Sequence, residues 1–436
     1  MNYLEQYAAK KCSPEDAVSL IRKDDVVLTT GEPDVLLEAL KKTANRLDGL
    51  HLYSVFGNAG QAGTRFYSLE TSGHIHVTTT ILSENEWKAW PDGDVDQVLV
   101  NLSEADQYIA YTCCPEVLLV QCSPLDEDGY FNMGIDAGCS SMALERGARV
   151  IVQVNQNMPH VLTDFGRVHI SRVSAICESN ELPSKTGIPA TAPTEADRTI
   201  AGYIAERIPN GATIQLGGGI IPELAGRLLV NHKDLGIHTD FFNGAMVELM
   251  KKGAVNNSRK EIMNGVSVAG FFHLDPNDLS FLHNNTAIML KKMSWVCDPK
   301  TISQLSDIVS VNMGLAVDFR AQVCSSSMGI SNTGGIGSHL DFARGAKRSK
   351  NGKSFIVLRS TRQKEDGTVV SNILPALPEG SLVSIPRSDI MYVATEYGVA
   401  NLRDLGVKER VKELISLAHP DFREWLLDEA KKNGFA

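Results

Sequence analysis

The sequence predicts an α/β protein made of two similar open α/β domains. Short runs rich in β-branched residues or leucine alternate with segments of helical period, and this alternation is typical of parallel sheets with buried strands. The chain has 436 residues, of which 43% are hydrophobic, and this length exceeds what a single ordinary core holds. The order of elements in the first half recurs in the second half, which indicates duplication of one α/β unit.

We predict buried strands where the apolar runs are short and bounded by polar or glycine residues. The runs are DDVVLTTG (24–31), DQVLVNL (96–102), EVLLVQCS (116–123), ARVIVQVN (148–155), ATIQLGGG (212–219), KSFIVLRS (353–360) and SLVSIPRS (381–388).

Two correspondences support the duplication. Residues 17–40 give a helix, a strand, a proline and a second helix, and residues 200–229 repeat that order. Later in each half, the segments Glu145–Ala148 and Ala343–Ala346 both precede a strand. We therefore expect an active site in the cleft between the two copies.

A proline- and threonine-rich stretch, residues 182–194, has neither helical nor strand periodicity and is predicted to be a linker. It separates an expected N-terminal domain, residues 1–185, from an expected C-terminal domain, residues 186–436.

The chain carries a formal net charge of −10 and has a pI near 5.6. A protein that coats nucleic acid normally presents a basic face, so we expect no nucleic-acid partner. The beginning of the chain is polar, and no apolar stretch reaches the length of a membrane span. We therefore expect no membrane partner and a cytoplasmic location.

Eight cysteines are scattered along the chain without a CxxC pair, which disfavours a disulfide framework or a structural zinc site. His74 and His76 would share one face of a strand, but no third ligand accompanies them at metal-ligand spacing. We expect reduced thiols and no metal.

The segment QLGGGIIP, residues 215–222, places three glycines between a strand and a helix that has a proline in its first turn. Glycines let the backbone approach a ligand closely, and the free N–H groups of a helix N-terminus can bind an anion or an oxyanion. A dinucleotide site and a tight turn without ligand remain alternatives. Pro222 stands where a dinucleotide fingerprint has its third glycine, and Asp240 is only an ambiguous ribose partner.

Asp240 ends the segment LGIHTD, in which the other residues are apolar or neutral. A carboxylate among apolar neighbours is poorly solvated, which favours a role as nucleophile. A helix N-cap before Gly244 is the alternative that the local pattern leaves open.

A second glycine loop, TGGIGSH at residues 333–339, precedes a helical segment. Such a loop can direct backbone N–H groups at a developing oxyanion, and it can equally be a surface turn. The chain has no GxSxG, Walker A or HExxH motif.

With these segments in place, the chain resembles the acetyl-CoA hydrolase/transferase family, and within it the 4-hydroxybutyrate and butyryl-CoA:acetate CoA-transferases. The resemblance covers nearly the full length. It is carried by GYFNMG (129–134), VNQNMP (154–159), QLGGGIIP (215–222), LGIHTD (235–240), VDF (317–319), LDFARGA (340–346), ATEYGVANLR (394–403) and AHPDF (418–422).

The resemblance implies two NagB/RpiA-like domains and a ping-pong transfer of CoA through a thioester on an enzyme carboxyl group. The expected partners are a short-chain acyl-CoA, such as 4-hydroxybutyryl-, butyryl- or acetyl-CoA, and a small carboxylic acid such as acetate. CoA is then a substrate, no cofactor is bound permanently, and a homo-oligomer is expected.

The same resemblance implies site residues. Asp240 is the expected catalytic nucleophile. The expected CoA-binding residues are Gln215, Leu216, Gly217, Gly218, Gly219, Gly314, Leu315, Gly334, Gly335, Gly337, Ser338 and Lys364.

Two positions depart from the family pattern. Asp240 stands where the family has glutamate, and Gly337-Ser338-His339 stands where the family usually reads Gly-Gly-Gln. An aspartate is one methylene shorter, and a displacement on the order of 1 Å can cost about a hundredfold in rate.

Three hypotheses follow from the resemblance and its departures. The leading one is a CoA-transferase with Asp240 as covalent nucleophile. The second is an acyl-CoA hydrolase in which Asp240 directs water, and the third is a catalytically silent CoA-binding homologue.

Overall fold

A computed structural model of the chain describes residues 2–55, 71–82, 84–137, 139–183, 192–332 and 334–436. The chain forms two compact units. Unit 1 comprises Met1–Gly187, Val268–Val296 and Thr333–Gly337, and unit 2 comprises Ile188–Ser267, Cys297–Asn332 and Ser338–Ala436. The predicted domain boundary between residues 185 and 186 lies outside the described residues.

Unit 1 contains a seven-stranded sheet in which every neighbouring pair is parallel. Its strands lie in the order β7-β6-β5-β1-β2-β3-β4. They are β1 (Val26–Thr30), β2 (Leu50–Ser54), β3 (Ile75–Thr79), β4 (Val95–Gln97), β5 (Val117–Cys122), β6 (Arg149–Asn155) and β7 (Val173–Ser179). All six residues of β5 are buried, as expected for a strand covered on both faces.

Several α-helices of unit 1 lie in its first segment. They are α1 (Tyr3–Lys10), α2 (Pro14–Ser19), α3 (Asp34–Lys42), α4 (Glu84–Ala89), α5 (Ala105–Tyr108) and α6 (Ser140–Glu145). Helices α2 and α3 pack apolar side chains onto β1, β2 and β5 to form the core of the unit. Other elements are Ile81–Leu82, Tyr130–Asn132, Arg167–His169, Ile288–Leu290, Met293–Val296, Gly334–Gly335 and a seven-residue strand, Ser267–His273, whose first residue belongs to unit 2.

Unit 2 is organised around six strands in the order β9-β8-β10-β11-β12-β13. They are β8 (Thr213–Leu216), β9 (Gly236–Asn243), β10 (Ile308–Met313), β11 (Lys353–Val357), β12 (Tyr392–Thr395) and β13 (Gly398–Asn401). The pairs are parallel except for β12 and β13, which form an antiparallel hairpin at the edge.

Six helices of the described residues of unit 2 have eight or more residues. They are α7 (Glu195–Ala205), α8 (Ile220–Arg227), α9 (Gly244–Lys251), α10 (His339–Arg348), α11 (Val407–Ser416) and α12 (Pro420–Lys432). Helix α7 starts with a capping box between Thr194 and Asp197. Shorter elements are Pro299–Ile302, Ala316–Asp318, Val323–Cys324, Ser327–Met328, Ser331–Asn332, Thr361–Gln363, Val369–Ser371 and Ile373–Leu374.

The two units repeat one topology, so the predicted α/β class with parallel sheets is confirmed. In unit 1 the chain runs from β1 to β2 on one side and later returns to β5 on the other side of β1. In unit 2 it runs from β8 to β9 and later returns to β10 on the other side of β8. Open α/β sheets bind ligands at the carboxyl ends of strands where the direction of winding reverses, which in unit 2 is between β8 and β10.

Two of the seven predicted strands differ from the structure. The run at residues 381–388 forms no strand, because Pro386 has no N–H to donate and Ile385 makes only an isolated bridge to Val323. The run at residues 96–102 is a strand only through Gln97, and Leu99 is 60% exposed rather than buried.

The predicted strand position of His74 is also wrong, because β3 begins one residue later, at Ile75. Within the described residues, no group of three or more His, Cys, Asp or Glu side chains is placed to hold a metal ion. None of the eight cysteines, which all lie in the described residues, forms a disulfide bond. In the described parts of the chain, no helix has both the length and the apolar character needed to cross a membrane.

Side chains from residues 257–260 hold the beginning of β9. Asn257 Oδ1 accepts a hydrogen bond from the Ile237 N–H at 2.9 Å, and Lys260 Nζ donates to the Ile237 carbonyl oxygen at 2.9 Å. Lys260 Nζ also donates to the Val266 carbonyl oxygen at 2.6 Å. Both backbone groups of Ile237 are therefore held by side chains, three residues before Asp240.

Lys260 is only 2% exposed, and its stem passes over Gly236, where a Cβ would lie 2.7 Å from Lys260 Cγ. Burial lowers the pKa of the Lys260 ammonium from 10.5 to about 7. Between these two pH values the unfolded chain binds a proton that the folded chain does not bind, so stability rises with pH in that window.

We predict that Lys260→Met flattens this pH dependence. In the wild type, deprotonation of Lys260 makes the free energy of unfolding rise by up to about 1.4 kcal/mol per pH unit between pH 7 and the pKa of the unfolded chain. Urea unfolding at pH 7, 8 and 9 measures the effect, with Lys353→Met as the control, because Lys353 also donates to a backbone carbonyl, that of Arg207. Equal slopes in Lys260→Met and the wild type would contradict the assignment.

Candidate functional site

Asp240 lies on β9 and is 8% exposed. Strand β8 pairs with β9 in a register that places Thr213 beside Gly236 and Ile214 beside Ile237. Continued along the strands, this register brings Asp240 just past the end of β8, at Leu216. The carboxylate therefore lies at the carboxyl end of β8, next to the place where the sheet reverses direction.

Both oxygens of this carboxylate accept hydrogen bonds. Gln215 Nε2 donates to Asp240 Oδ1 at 3.2 Å, and Ser338 Oγ donates to Asp240 Oδ2 at 2.5 Å. Gln215 is fully buried and Ser338 is 2% exposed. A buried carboxylate is stabilised only where hydrogen bonds replace the water it has lost, and these two donors supply that replacement.

Gln215 is itself fixed by a reciprocal pair of amide hydrogen bonds. Its Nε2 donates to Asn312 Oδ1 at 3.0 Å, and Asn312 Nδ2 donates back to Gln215 Oε1 at 3.1 Å. Because the Asp240 carboxylate only accepts hydrogen bonds, the Gln215 amide must turn Nε2 toward it, and the pairing with Asn312 holds the amide in that position. The N–H that points to Asp240 is therefore held in place by Asn312.

Gly217 makes room for this pair. A Cβ at position 217 would lie 2.4 Å from Asn312 Oδ1, which is closer than any side chain tolerates. Gly219 has φ +126°, a backbone conformation that favours glycine. The structure thus requires glycine at two of the three positions in the turn, whereas Gly218 is exposed just before α8.

Ser338 is the N-cap residue of α10, but its side chain makes no capping hydrogen bond. A serine at this position normally stabilises its helix by about 0.5–2 kcal/mol through such a bond. Its hydroxyl is bonded to Asp240 instead. The contact joins the start of α10 to a strand 98 residues earlier in the chain.

His339, the first residue of α10, has its Nδ1 3.1 Å from Ser325 Oγ. Burial lowers the pKa of the His339 imidazole, and the negative charge of Asp240 opposes that shift. The neighbourhood of Asp240 thus contains a hydroxyl, an amide and an imidazole.

The N-cap interpretation of Asp240 is wrong. The N-cap of α9 is Asn243, whose Oδ1 accepts a hydrogen bond from the Met246 N–H at 3.3 Å. Asp240 lies within β9, three residues before this cap, so its carboxylate has no part in starting the helix.

The other predicted CoA-binding residues of unit 2 lie on three elements. Leu216 is the buried last residue of β8. Gly314 follows β10 and is packed, since a Cβ there would lie 2.9 Å from Ile356 Cγ2, and Leu315 beside it is 39% exposed. Lys364 lies on the exposed turn between the short strands Thr361–Gln363 and Val369–Ser371.

The predicted second glycine loop has a structural role in unit 1. Gly334 and Gly335 form a short strand that pairs with Ile81–Leu82, and a Cβ at position 335 would lie 2.2 Å from the Thr80 carbonyl oxygen. Gly337 has φ +63°. Their contacts with CoA stay predictions.

The structure therefore brings Asp240, Gln215 and Ser338 together and adds Asn312, which the sequence analysis missed. A signal for Asn312 was present, because it is a polar residue near the end of the otherwise apolar run IVSVNM. Its partner could not be read from that run, because Gln215 lies 97 residues earlier.

Two family models match the chain. Residues 1–186 match the acetyl-CoA hydrolase/transferase N-terminal domain, and residues 277–430 match the acetyl-CoA hydrolase/transferase C-terminal domain.

Similar proteins are full-length matches. The succinyl-CoA:cyclohexane-1-carboxylate CoA transferase of Geobacter metallireducens is 34% identical over 434 residues, covering 99% of this chain and 97% of that protein. The 4-hydroxybutyrate coenzyme A transferase of Clostridium kluyveri is 33% identical over 442 residues, covering 99% and 100%. The crystal structure of RipA from Yersinia pestis matches with a TM-score of 0.93 at 32% identity and covers 100% of both chains.

We predict that Gly217→Ala destabilises the protein by about 1–3 kcal/mol, because the added methyl group displaces the paired Asn312 amide. Gly202→Ala is the matched control, since a Cβ at position 202 in α7 meets nothing within 4 Å. Urea unfolding of both variants measures the difference. A Gly217→Ala protein as stable as Gly202→Ala would show that the Gln215–Asn312 pair does not constrain this turn.

Proposed function

Because this chain belongs to the acetyl-CoA hydrolase/transferase family and is an acyl-CoA:carboxylate CoA-transferase, we propose that it transfers CoA through a thioester on Asp240. The donor is a short-chain acyl-CoA, namely 4-hydroxybutyryl-, butyryl- or acetyl-CoA, and the acceptor is a free carboxylate such as acetate. The observation that carries the proposal is the buried Asp240 carboxylate with a separate donor on each oxygen.

The first half-reaction forms the thioester. A carboxylate oxygen of Asp240 attacks the thioester carbonyl of the acyl-CoA, the C–S bond breaks, and CoA leaves as a thiolate. The thiolate then attacks Cγ of Asp240 in the mixed anhydride and expels the acyl group as a free carboxylate. The energy of the thioester bond is kept on the enzyme, because water takes no part in either step.

The second half-reaction reverses this order with a different acid. The acceptor carboxylate attacks Cγ of the Asp240 thioester and releases the CoA thiolate. The thiolate attacks the acyl carbonyl of the new anhydride, which forms the new acyl-CoA and restores the Asp240 carboxylate.

The turn at Gly217–Gly219 is the place we propose for CoA. It lies at the carboxyl end of β8, where the sheet reverses direction, and leads into the N-terminus of α8. Free N–H groups in the first turn of α8 suit a phosphate or a carbonyl oxygen. We include Gly314, Leu315, Lys364 and the loop Gly334–Gly337 in the proposed CoA contacts on the resemblance alone, together with a cytoplasmic homo-oligomer.

A hydrolase is the second candidate. The observation that favours it is the polar neighbourhood of the carboxylate, in which the Ser338 hydroxyl contacts Asp240 and the His339 imidazole lies on the next residue. In that case Asp240 directs a water molecule at the acyl-CoA, and free CoA appears without an acceptor acid.

We predict that acetyl-CoA forms only when acetate is present and that no free CoA accumulates with or without it, because the CoA thiolate is recaptured in each half-reaction. Butyryl-CoA is incubated with and without acetate, and thiol release and acetyl-CoA are followed together. Steady thiol release from butyryl-CoA without acetate would establish the hydrolase instead. No turnover with any of the three acyl-CoAs would support the silent homologue.

We predict that Asp240→Asn lowers kcat by about a thousandfold or more, because an amide is not a nucleophile. The asparagine has the same shape, so the fold should be kept. Asp318→Asn is the matched control, since Asp318 is also a buried aspartate of unit 2, with its Oδ1 bonded to the Arg320 and Gln322 N–H groups. Wild-type kcat in Asp240→Asn would remove Asp240 from the mechanism.

A further inference from the structure

The hydroxyl group of Ser338 does not stabilise the helix that begins after it. It occupies the N-cap of α10 without capping the helix, and its Oγ donates to Asp240 Oδ2 at 2.5 Å. It is 2% exposed, so water does not compete for this bond. The Ser338 hydroxyl therefore stabilises the distant Asp240 carboxylate rather than the start of its own helix.

The two donors on Asp240 are unequal. Ser338 Oγ lies 2.5 Å from Oδ2, which is the short distance typical of a hydroxyl that donates to a charged oxygen. Gln215 Nε2 lies 3.2 Å from Oδ1 and also donates to Asn312. Oδ1 is therefore the less strongly held oxygen, which makes it the stronger nucleophile of the two.

The proposed function gives Oδ2 a specific task. Each time CoA joins or leaves Asp240, the carbon under attack is Cγ of the enzyme's own side chain. The electron pair of the Cγ–Oδ2 double bond then moves onto Oδ2 and returns when the leaving group departs. A donor that is already fixed on this oxygen stabilises the transition state without reorganisation.

We propose that Ser338 is a catalytic residue whose O–H stabilises the oxyanion that forms on Asp240 Oδ2. Oδ1 attacks the acyl-CoA and becomes the bridging oxygen of the anhydride. When the CoA thiolate adds to Cγ, Oδ2 carries the negative charge, and the tetrahedral intermediate collapses by expelling the acyl carboxylate with Oδ1. The Ser338 proton stays on its oxygen throughout. This inference rests on the proposed function, because it requires a covalent intermediate at Asp240.

The experiment measures the two half-reactions separately. Wild type, Ser338→Ala and Ser338→Cys are mixed with butyryl-CoA in a rapid-quench apparatus, and the thioester on Asp240 is quantified by peptide mass spectrometry. The isolated thioester is then discharged with acetate. The cysteine variant keeps the size of the serine but offers only a weak donor, so it serves if the alanine variant does not fold.

We expect both variants to form and to discharge the thioester about 10²–10³-fold more slowly than the wild type. The dissociation constant of butyryl-CoA should stay within about threefold, since the hydroxyl acts in the transition state rather than on bound substrate. Ser325→Ala is the matched control, because Ser325 Oγ contacts His339 in the same neighbourhood, and its rates should also stay within about threefold.

Wild-type rates of thioester formation and discharge in folded Ser338→Cys or Ser338→Ala would overturn the inference while leaving the proposed function intact. A wild-type enzyme that turns over without any thioester on Asp240 would overturn the proposed function, and the inference with it. The two failures are distinguishable, because only the second one concerns the wild type.

Discussion

The structure of the candidate site depends on the buried carboxylate of Asp240, which has little access to water. Asp240 is stable at this place only because Gln215 and Ser338 each donate to one of its oxygens. Each donor comes from a different segment of unit 2, so the segments must be in register for the carboxylate to be satisfied. The geometry of the site therefore depends on the packing of the whole unit.

The topology of the parallel sheet brings these segments together. The chain leaves β8 on one side and returns to β10 on the other, so side chains that are far apart in sequence meet at the carboxyl ends of these strands. Asn312 on β10 orients Gln215 on β8, and Gln215 reaches Asp240 on β9. Lys260 and Asn257 fix the start of β9 from outside the strand. The position of Asp240 is thus set by backbone anchors as well as by its direct partners.

Much of this arrangement was predictable from the sequence. The α/β class, five of the seven strands and the family follow from local periodicity and ordered motifs, because a buried parallel strand leaves a short apolar run. The side-chain network does not follow, because a local pattern at Ser338 predicts an N-cap serine and cannot show that the hydroxyl turns to Asp240. The strand predicted for the run that contains Pro386 was wrong for a related reason. Apolar residues that pack in a loop give the same local pattern as a strand.

We propose that the Asp240 carboxyl group carries CoA during the reaction. The most direct measurement is to treat the enzyme with acyl-CoA in the absence of an acceptor, reduce it with borohydride, and map the peptides. A thioester on Asp240 would be reduced to the alcohol, so we expect homoserine at position 240 and an unchanged aspartate in enzyme treated with free CoA. An unmodified Asp240 in protein that still turns over would rule out this intermediate.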